Sequence, residues 1–360
     1  MRICFISVGT FTHIGPYLDY FRQAGHDVHF VSLSDGPERS VPVYNLGFGG
    51  KYSETQGKWK YPVSMLRARK LVKKLKPDIV HAHYATSAGL TALVCGFHPA
   101  VVTVHGSDLT TGIKSVMWRP LLKRIFRFTD CVNVVSEELS DMVLSLGIEK
   151  DKIETFTLGI DTDRFSFTRK AKIDKSRPLK MVCTRRLEKV FDHGTILQAL
   201  AMLKDKGIEF EMTFFGDGSL LGRMKQQVKD LGLDNKVSFA GRIHNDELPE
   251  LLGQHDVYLS ASLWDGASLS LLEAMATGLF PIVSEIKANS AWLRNGVDGF
   301  LHRVGDAGDL TDCILRLLGE PDIAEKARSK NRSDVVEKAD RSKNMKRLES
   351  VYKNLVQKAR

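Results

Sequence analysis

Residues 260–283, SASLWDGASLSLLEAMATGLFPIV, constrain the fold more than any other stretch of this chain. The run DVYLSAS that leads into it is rich in β-branched and aromatic residues and reads as a strand. LWDGAS is a glycine-containing turn, and a helix follows from about Ser268, with Leu269, Leu272, Glu273 and Ala276 close to one face. Gly278 supplies a C-terminal stop and Pro281 opens the next strand. Strand, turn and helix in this order point the free N–H groups and positive dipole end of the helix at an anion. Asp265 stands just before the helix and Glu273 inside it. A phosphate repels a carboxylate, so both acids suit hydroxyl donors, and the pattern points to a polyhydroxy ligand that carries a phosphate.

The same alternation runs through the whole chain, twice. Residues 2–8 read as a first strand, GTFTHIG as its turn and PYLDYFRQAG as a helix with Pro16 suited to its first position. HDVHFVSL is the next strand; the opening is Rossmann-like but lacks G-x-G-x-x-G and a following acidic strand end. Residues 34–62 are irregular, glycine-bearing and rich in basic and aromatic residues, and read as a mobile functional segment. The second half restarts with the strand LKMVCTRRL, the helix DHGTILQALAMLKDKG and the strand-turn FEMTFFGDG, then the strand KVSFAGRI. Two α/β halves, with the basic, polar stretch 168–178 as linker, predict domains over 1–167 and 179–338 and a final basic helix over 339–360.

His81 and His83 share one strand face, and His105 follows the apolar AVVTV and precedes Gly106. Their spacing is not that of a zinc site and no carboxylate or thiol partner stands nearby, so no metal is expected; strand-end polar residues of an α/β sheet instead face a ligand crevice. Residues 114–128, KSVMWRPLLKRIFRF, interleave large apolar residues with Lys114, Arg119, Lys123, Arg124 and Arg127 and contain no acid. An interfacial helix on an anionic membrane and an ordinary core-packed helix with a basic outer side both fit that pattern.

The length of 360 residues suffices for two cores, and the net charge of +9 fits acidic partners such as nucleotide phosphates or anionic lipid headgroups. There is no recognition helix or aromatic-basic repeat for nucleic acid. The N-terminus has no signal-peptide pattern and no apolar run approaches the ~20 residues of a membrane span. Five cysteines at scattered spacings suggest reduced thiols and a cytoplasmic setting, extending to the inner membrane face if the basic helix binds lipid.

The stretch from Asp265 to Val283 resembles the signature of the retaining glycosyltransferases of family 4, in which two acids are separated by seven other residues and the second opens EAMA.G.PVV. GIDTDRF resembles the segment that closes the N-terminal domain of that family, and the likeness spans almost the whole chain. It implies a GT-B fold of two facing Rossmann-like domains with an interdomain cleft, the last helix crossing back to the first domain. It also implies transfer of a sugar, with retention, from a nucleotide diphosphate (UDP favoured, GDP as second candidate) to a hydroxyl of a glycan or lipid-linked acceptor in cell-surface polysaccharide or glycoconjugate synthesis. On this resemblance Arg186 neutralises the leaving phosphate together with the N–H groups of Gly266, Ala267, Ser268 and Leu269. Gly216 and Gly218 form the turn under phosphate and ribose, and Arg242 and Ile243 face the base. Glu273 accepts from the ribose, Asp265 and His105 hold the donor sugar, and Gly9, His13 and His83 lie on the acceptor side. No cofactor, metal or enzyme nucleophile is implied.

Three positions depart from the family pattern: Asp265 replaces the usual first Glu, Phe191 stands where Lys is common with Lys189 close by, and Ala291 replaces a Glu. They permit a silent nucleotide-binding scaffold, and a nucleotide-sugar 2-epimerase on the same architecture is a further alternative.

Overall fold

The computed structural model describes residues 1–8, 11–34, 41–47, 61–167, 172–173 and 176–360, and the backbone but not the side chains of 11–13. The chain divides into two compact units, Met1–Leu158 with Ser342–Arg360, and Gly159–Arg341.

The first unit contains β1 (Arg2–Ser7), β2 (Asp27–Ser32), β3 (Val43–Asn45), β4 (Ile79–His83), β5 (Ala100–Val104), β6 (Cys131–Val134) and β7 (Ile153–Thr155). All pair in parallel in the order β3-β2-β1-β4-β5-β6-β7. A parallel sheet is covered on both faces, so its strands read as unbroken apolar runs. AVVTV of β5 is buried at every position. One face packs on Leu122, Ile125 and Phe126 of the helix Trp118–Phe128 and on Ala68 and Val72 of the helix Tyr61–Leu75. The other packs on Ile14, Tyr17, Leu18 and Phe21, and on Met345, Leu348, Tyr352 and Val356 of the terminal helix Arg341–Ala359. Spacings of three and four residues put those last four on one stripe, which is why this polar, basic sequence still docks.

The second unit contains β8 (Leu179–Cys183), β9 (Phe210–Phe215), β10 (Val237–Gly241), β11 (Val257–Ser260), β12 (Phe280–Ser284) and β13 (Phe300–His302). They too are parallel, in the order β10-β9-β8-β11-β12-β13. The helix expected from Ser268 spans Leu269–Thr277, with Gly278 at φ +85° ending it in the left-handed conformation that suits glycine.

One expectation needs correction. The first helix spans Phe11–Gln23, so Pro16 is inside it and not at its start; the buried Ile14, Tyr17, Leu18 and Phe21 outweigh the one hydrogen bond that proline forgoes. The apolar stripe of residues 114–128 is not offered to a membrane as a whole, because Leu122, Ile125 and Phe126 are fully buried in the core. What stays outside is the lead-in to the helix, Val116 at 94% and Met117 at 73% exposure, beside exposed Lys114 and Arg119. Among the described residues no helix is long and apolar enough to cross a membrane. All five cysteines are free thiols. The stretch 48–60 and most of residues 168–175 lie outside the described residues.

Candidate active site

In an open α/β sheet, ligands bind beyond the carboxyl ends of the strands where the strand order reverses. In the second unit that point lies between β8 and β11. Beyond β8 come Thr184, Arg185 and Arg186; beyond β11 come Ala261 to Ser268 and the head of the Leu269–Thr277 helix. Arg186 and the Asp265–Ser268 turn thus emerge from neighbouring strands at one sheet edge.

The Arg186 side chain is 76% exposed, with Glu188 at 3.5 Å as its ion-pair partner. The loop that carries it is fixed from below. His193, buried, bonds the Arg186 carbonyl through Nε2 at 2.9 Å, and burial lowers the imidazole pKa, favouring the neutral ring. The FFGDG turn is bolted onto the same loop: Leu187 N–H donates to the Asp217 carbonyl at 3.1 Å, Leu220 N–H donates to the Leu187 carbonyl at 2.9 Å, and Ser219 donates twice to Glu188. A Cβ on Gly218 would lie 2.4 Å from the Leu187 carbonyl oxygen, and one on Gly216, at φ +148°, would lie 2.6 Å from that of Arg185. These two glycines are therefore required for close approach of backbone to backbone. The turn after β10 is tethered likewise, Arg164 donating to the Asn245 carbonyl at 2.6 Å and pairing with Asp246 at 3.3 Å, while Arg242 is exposed and Ile243 is half-buried against the core.

At the helix head, Leu271 and Leu272 N–H groups return to the Ser268 carbonyl, whereas those of Gly266, Ala267 and Ser268 make no hydrogen bond among the described residues. They are orphan donors at a positive helix end, the arrangement that accepts an anion. Leu269 N–H, by contrast, already bonds the Ala267 carbonyl at 3.0 Å. Glu273, one turn further in, has a carboxylate with no hydrogen bond among the described residues. Burial pushes its pKa up to about 7, against the pull of the Arg341, Arg164 and Arg185 charges. The side chain is half-buried, so its carboxylate is open to a ligand that donates hydrogen bonds.

Asp265, by contrast, is already engaged. Its Oδ2 bonds Nη2 of Arg185, whose Nη1 donates to Ser270 Oγ at 2.9 Å. The Arg185 guanidinium lies 4.2 Å from the centre of the Phe191 ring, a cation-π contact. Burial works against the Arg185 charge, yet Asp265 beside it holds the guanidinium pKa above its ordinary value. Arg185 and His193 were missed by sequence reasoning. The Arg-Arg doublet beside Arg186 was a visible signal for the first, and nothing local marked the second.

In the first unit the strand order reverses between β1 and β4. His105 follows β5, and Gly106, at φ +129°, turns the chain away from it. Buried Asp108 accepts from Gly106 N–H at 2.9 Å and Ala85 N–H at 2.6 Å, tying the His105 turn to the π-helical turn Tyr84–Gly89. His83, fully buried, meets His105 Nε2 through Nδ1 at 3.0 Å; it lies behind His105 and lines no open surface. His81 is also buried, bonded to Tyr352 Oη and, at 2.7 Å, to Thr103 Oγ1, and burial drives its pKa down to about 3. Among the described residues no group of histidines, cysteines and acids has the grouping of a metal site. Gly9 and the His13 side chain lie outside the described residues.

Two family models match in succession, Glycosyltransferase Family 4 over residues 9–164 and Glycosyl transferases group 1 over residues 165–334. The N-acetyl-alpha-D-glucosaminyl L-malate synthase of Bacillus anthracis is 26% identical over 97% of this chain and 95% of its own length. An Escherichia coli UDP-Gal:alpha-D-GlcNAc-diphosphoundecaprenol alpha-1,3-galactosyltransferase is 27% identical over 78% of each chain. Among solved structures, Anabaena HepE in complex with UDP and glucose superposes with a TM-score of 0.80 at 16% identity, covering 99% of this chain and 100% of that one. At that identity the likeness shows the fold, which is GT-B.

Proposed function

We propose, for a chain that belongs to the glycosyltransferases of family 4 and acts in polysaccharide or glycoconjugate synthesis, that it transfers a hexosyl or N-acetylhexosaminyl group from a UDP-sugar to a hydroxyl with retained configuration. The observation that carries the donor reading is the pairing of orphan N–H groups at Gly266–Ser268 with the unpartnered, half-buried carboxylate of Glu273 one turn behind them. The first suits a diphosphate and the second the hydroxyls of a ribose, and a nucleoside diphosphate carries both. UDP is favoured over GDP because a relative is described by a UDP-sugar donor and a structural neighbour holds UDP.

The charge that develops in the reaction is on the leaving diphosphate, so donors held in place there lower the barrier most. Arg186 supplies a permanent cation, set on a loop that His193 and the FFGDG turn hold still, and the helix head supplies fixed dipoles. With those groups present a metal ion is not required for charge neutralisation, and none is assigned a role. Gly216 and Gly218, which let the FFGDG turn seat on the Arg185–Leu187 backbone, are assigned to the phosphate side, and Arg242 and Ile243 to the base. Asp265 holds donor-sugar hydroxyls. His105, braced by His83 and Asp108, is assigned to the same sugar, and Gly9 and His13 to the acceptor side. Departure of UDP and attack by the acceptor on one face of the sugar give retention with no enzyme carboxylate as nucleophile.

The acceptor is proposed to be a glycan or lipid-linked sugar reached from the cytoplasmic membrane face. Val116 and Met117, exposed amid Lys114 and Arg119, offer apolar contacts with a basic collar suited to anionic headgroups. The acceptor function is proposed for residues 1–167 and the donor function for residues 179–338, with the helix of 339–360 returning to the first. The deciding experiment incubates the protein with UDP-glucose, UDP-galactose and UDP-N-acetylglucosamine and a panel of polyprenyl-diphosphate sugars, without added metal. A new glycosidic bond with the donor's anomeric configuration, read by NMR, supports the reading. UDP-sugar turnover to a 2-epimer, or binding without turnover against every acceptor, overturns it.

A further inference from the structure

Asp265 is buried to 15% exposure and its partner Arg185 to 10%. The pair joins the chain beyond β8 to the head of the helix after β11. Arg185 also grips Ser270, whose Oγ meets Tyr258 Oη at 2.8 Å, and lies over Phe191 in the turn Lys189–Phe191. Its Nε is buried with no hydrogen bond among the described residues. An ion pair this far from water is a poor choice if its purpose is to hold these elements together, because desolvation offsets most of the attraction and apolar side chains of similar size serve as well. What an ion pair supplies and an apolar contact cannot is direction and charge cancellation. Asp265 Oδ2 is committed to Arg185, while Oδ1 has no hydrogen bond among the described residues. A bare carboxylate beside an anion-binding helix head would also oppose the anion, and the guanidinium cancels it.

We infer that Arg185 is a positioning residue that fixes Asp265 in one orientation, so that Oδ1 is a single, aimed acceptor selecting the transferred sugar, while the same contact silences the Asp265 charge toward the diphosphate. The inference rests on the donor reading above and assigns Arg185 no contact with the ligand. It also accounts for two departures from the family pattern at once. Phe191 gives Arg185 an aromatic floor where a lysine would repel it, and the shorter Asp265 leaves room for a guanidinium to dock on it.

The test separates sugar from nucleotide. Dissociation constants are measured by calorimetry for UDP and for UDP-glucose, UDP-galactose and UDP-N-acetylglucosamine, and the ratio of UDP to the best UDP-sugar is the gain contributed by the sugar. In Arg185→Met the gain should fall by about 10-fold or more, the effect of losing an aimed charged acceptor, and UDP itself should bind more weakly because Asp265 is unmasked. Arg185→Met with Asp265→Asn should return UDP affinity to within about 2-fold of wild type and raise the melting temperature above that of the single variant, yet leave the gain lost. Arg185→Lys, which keeps the charge without the planar fork, should preserve UDP affinity and lose part of the gain. A wild-type gain retained in Arg185→Met, or in the double variant if the single one does not fold, makes Arg185 a structural contact only and overturns the inference. UDP affinity that stays low in the double variant means that Arg185 touches the diphosphate directly, which overturns it equally. A wild-type chain that binds none of these nucleotides removes the donor reading, and this one with it.

Discussion

If Glu273 receives the ribose hydroxyls, donor binding must release a proton near neutral pH. The free carboxyl has a pKa raised to about 7 from an ordinary 4.5, with burial as the main cause. Hydroxyl donors favour the ionised form, so a bound ligand returns the pKa toward its ordinary value or below it. The free site is then about 0.9 protonated at pH 6, about 0.5 at pH 7 and about 0.1 at pH 8, and those fractions are the protons released per ligand bound. Affinity should accordingly rise by about 10-fold from pH 6 to pH 8, nearly all of it below pH 7.5. A UDP-sugar is the ligand of choice, since its esterified diphosphate has no proton to lose in this range. Calorimetry in two buffers of different ionisation enthalpy reads the proton count directly, and Glu273→Gln, of the same size but unable to ionise, should release none.

The same group fixes a stability trend whose sign is opposite to that of most carboxylates. Its folded pKa lies above its unfolded value, so the folded state binds the proton more tightly. Stability from this group is fully present below about pH 4.5 and is lost as pH rises through about 7, a change of about 3 kcal/mol. Glu273→Gln should therefore leave stability little changed near pH 4.5 and raise it at pH 8 in the absence of ligand. Equal proton release by wild type and Glu273→Gln, or affinity independent of pH between 6 and 8, would refute the placement of Glu273 against the ribose.

Arg186→Ala should weaken UDP by about 10–100-fold while leaving uridine unaffected, because charge-assisted hydrogen bonds to phosphate are worth about 1.5–3 kcal/mol; an equal loss for uridine would assign Arg186 to the nucleoside instead. Gly218→Ala forces a Cβ onto the backbone of Leu187 and should lower the melting temperature by several degrees, at about 1–3 kcal/mol for an overpacked contact, so an unchanged melting curve contradicts the tight apposition of the two loops. Val116→Asp with Met117→Asp should reduce co-sedimentation with phosphatidylglycerol vesicles and leave UDP affinity intact, since neither side chain is packed; undiminished sedimentation would assign lipid binding elsewhere.

The parts legible in the sequence were those that local physics decides. Periodicity, glycine stops and strand composition gave the α/β class, the helix after Ser268 and the acids that bracket it, because each depends on neighbours within a turn or two. The start of the first helix was misplaced because Pro16 is a strong local signal, and only the buried stripe of Ile14, Tyr17, Leu18 and Phe21 overrides it. Residues 114–128 were ambiguous for a similar reason. An amphipathic helix has the same pattern whether lipid or a sheet covers its apolar face, and only the tertiary fold reveals that Leu122, Ile125 and Phe126 belong to the core.

The electrostatics of the site were the least legible part, since charge partners there are far apart in sequence. Asp265 and Arg185 are separated by 80 residues, and the arginines whose charges reach Glu273 are drawn from positions 164, 185 and 341. Read one at a time, Asp265, Phe191 and Arg185 look like a weakened acid, a missing cation and a spare one. Brought together at the edge where β8 and β11 end, they form one unit in which the cation is internal and the acid is masked. On the proposed donor reading, a diphosphate next to carboxylates needs each acid either neutral or paired. Glu273 then meets that need through a pKa raised to about 7, chiefly by desolvation, and Asp265 meets it through Arg185. Two acids at one helix end are thereby set to different tasks by environment alone.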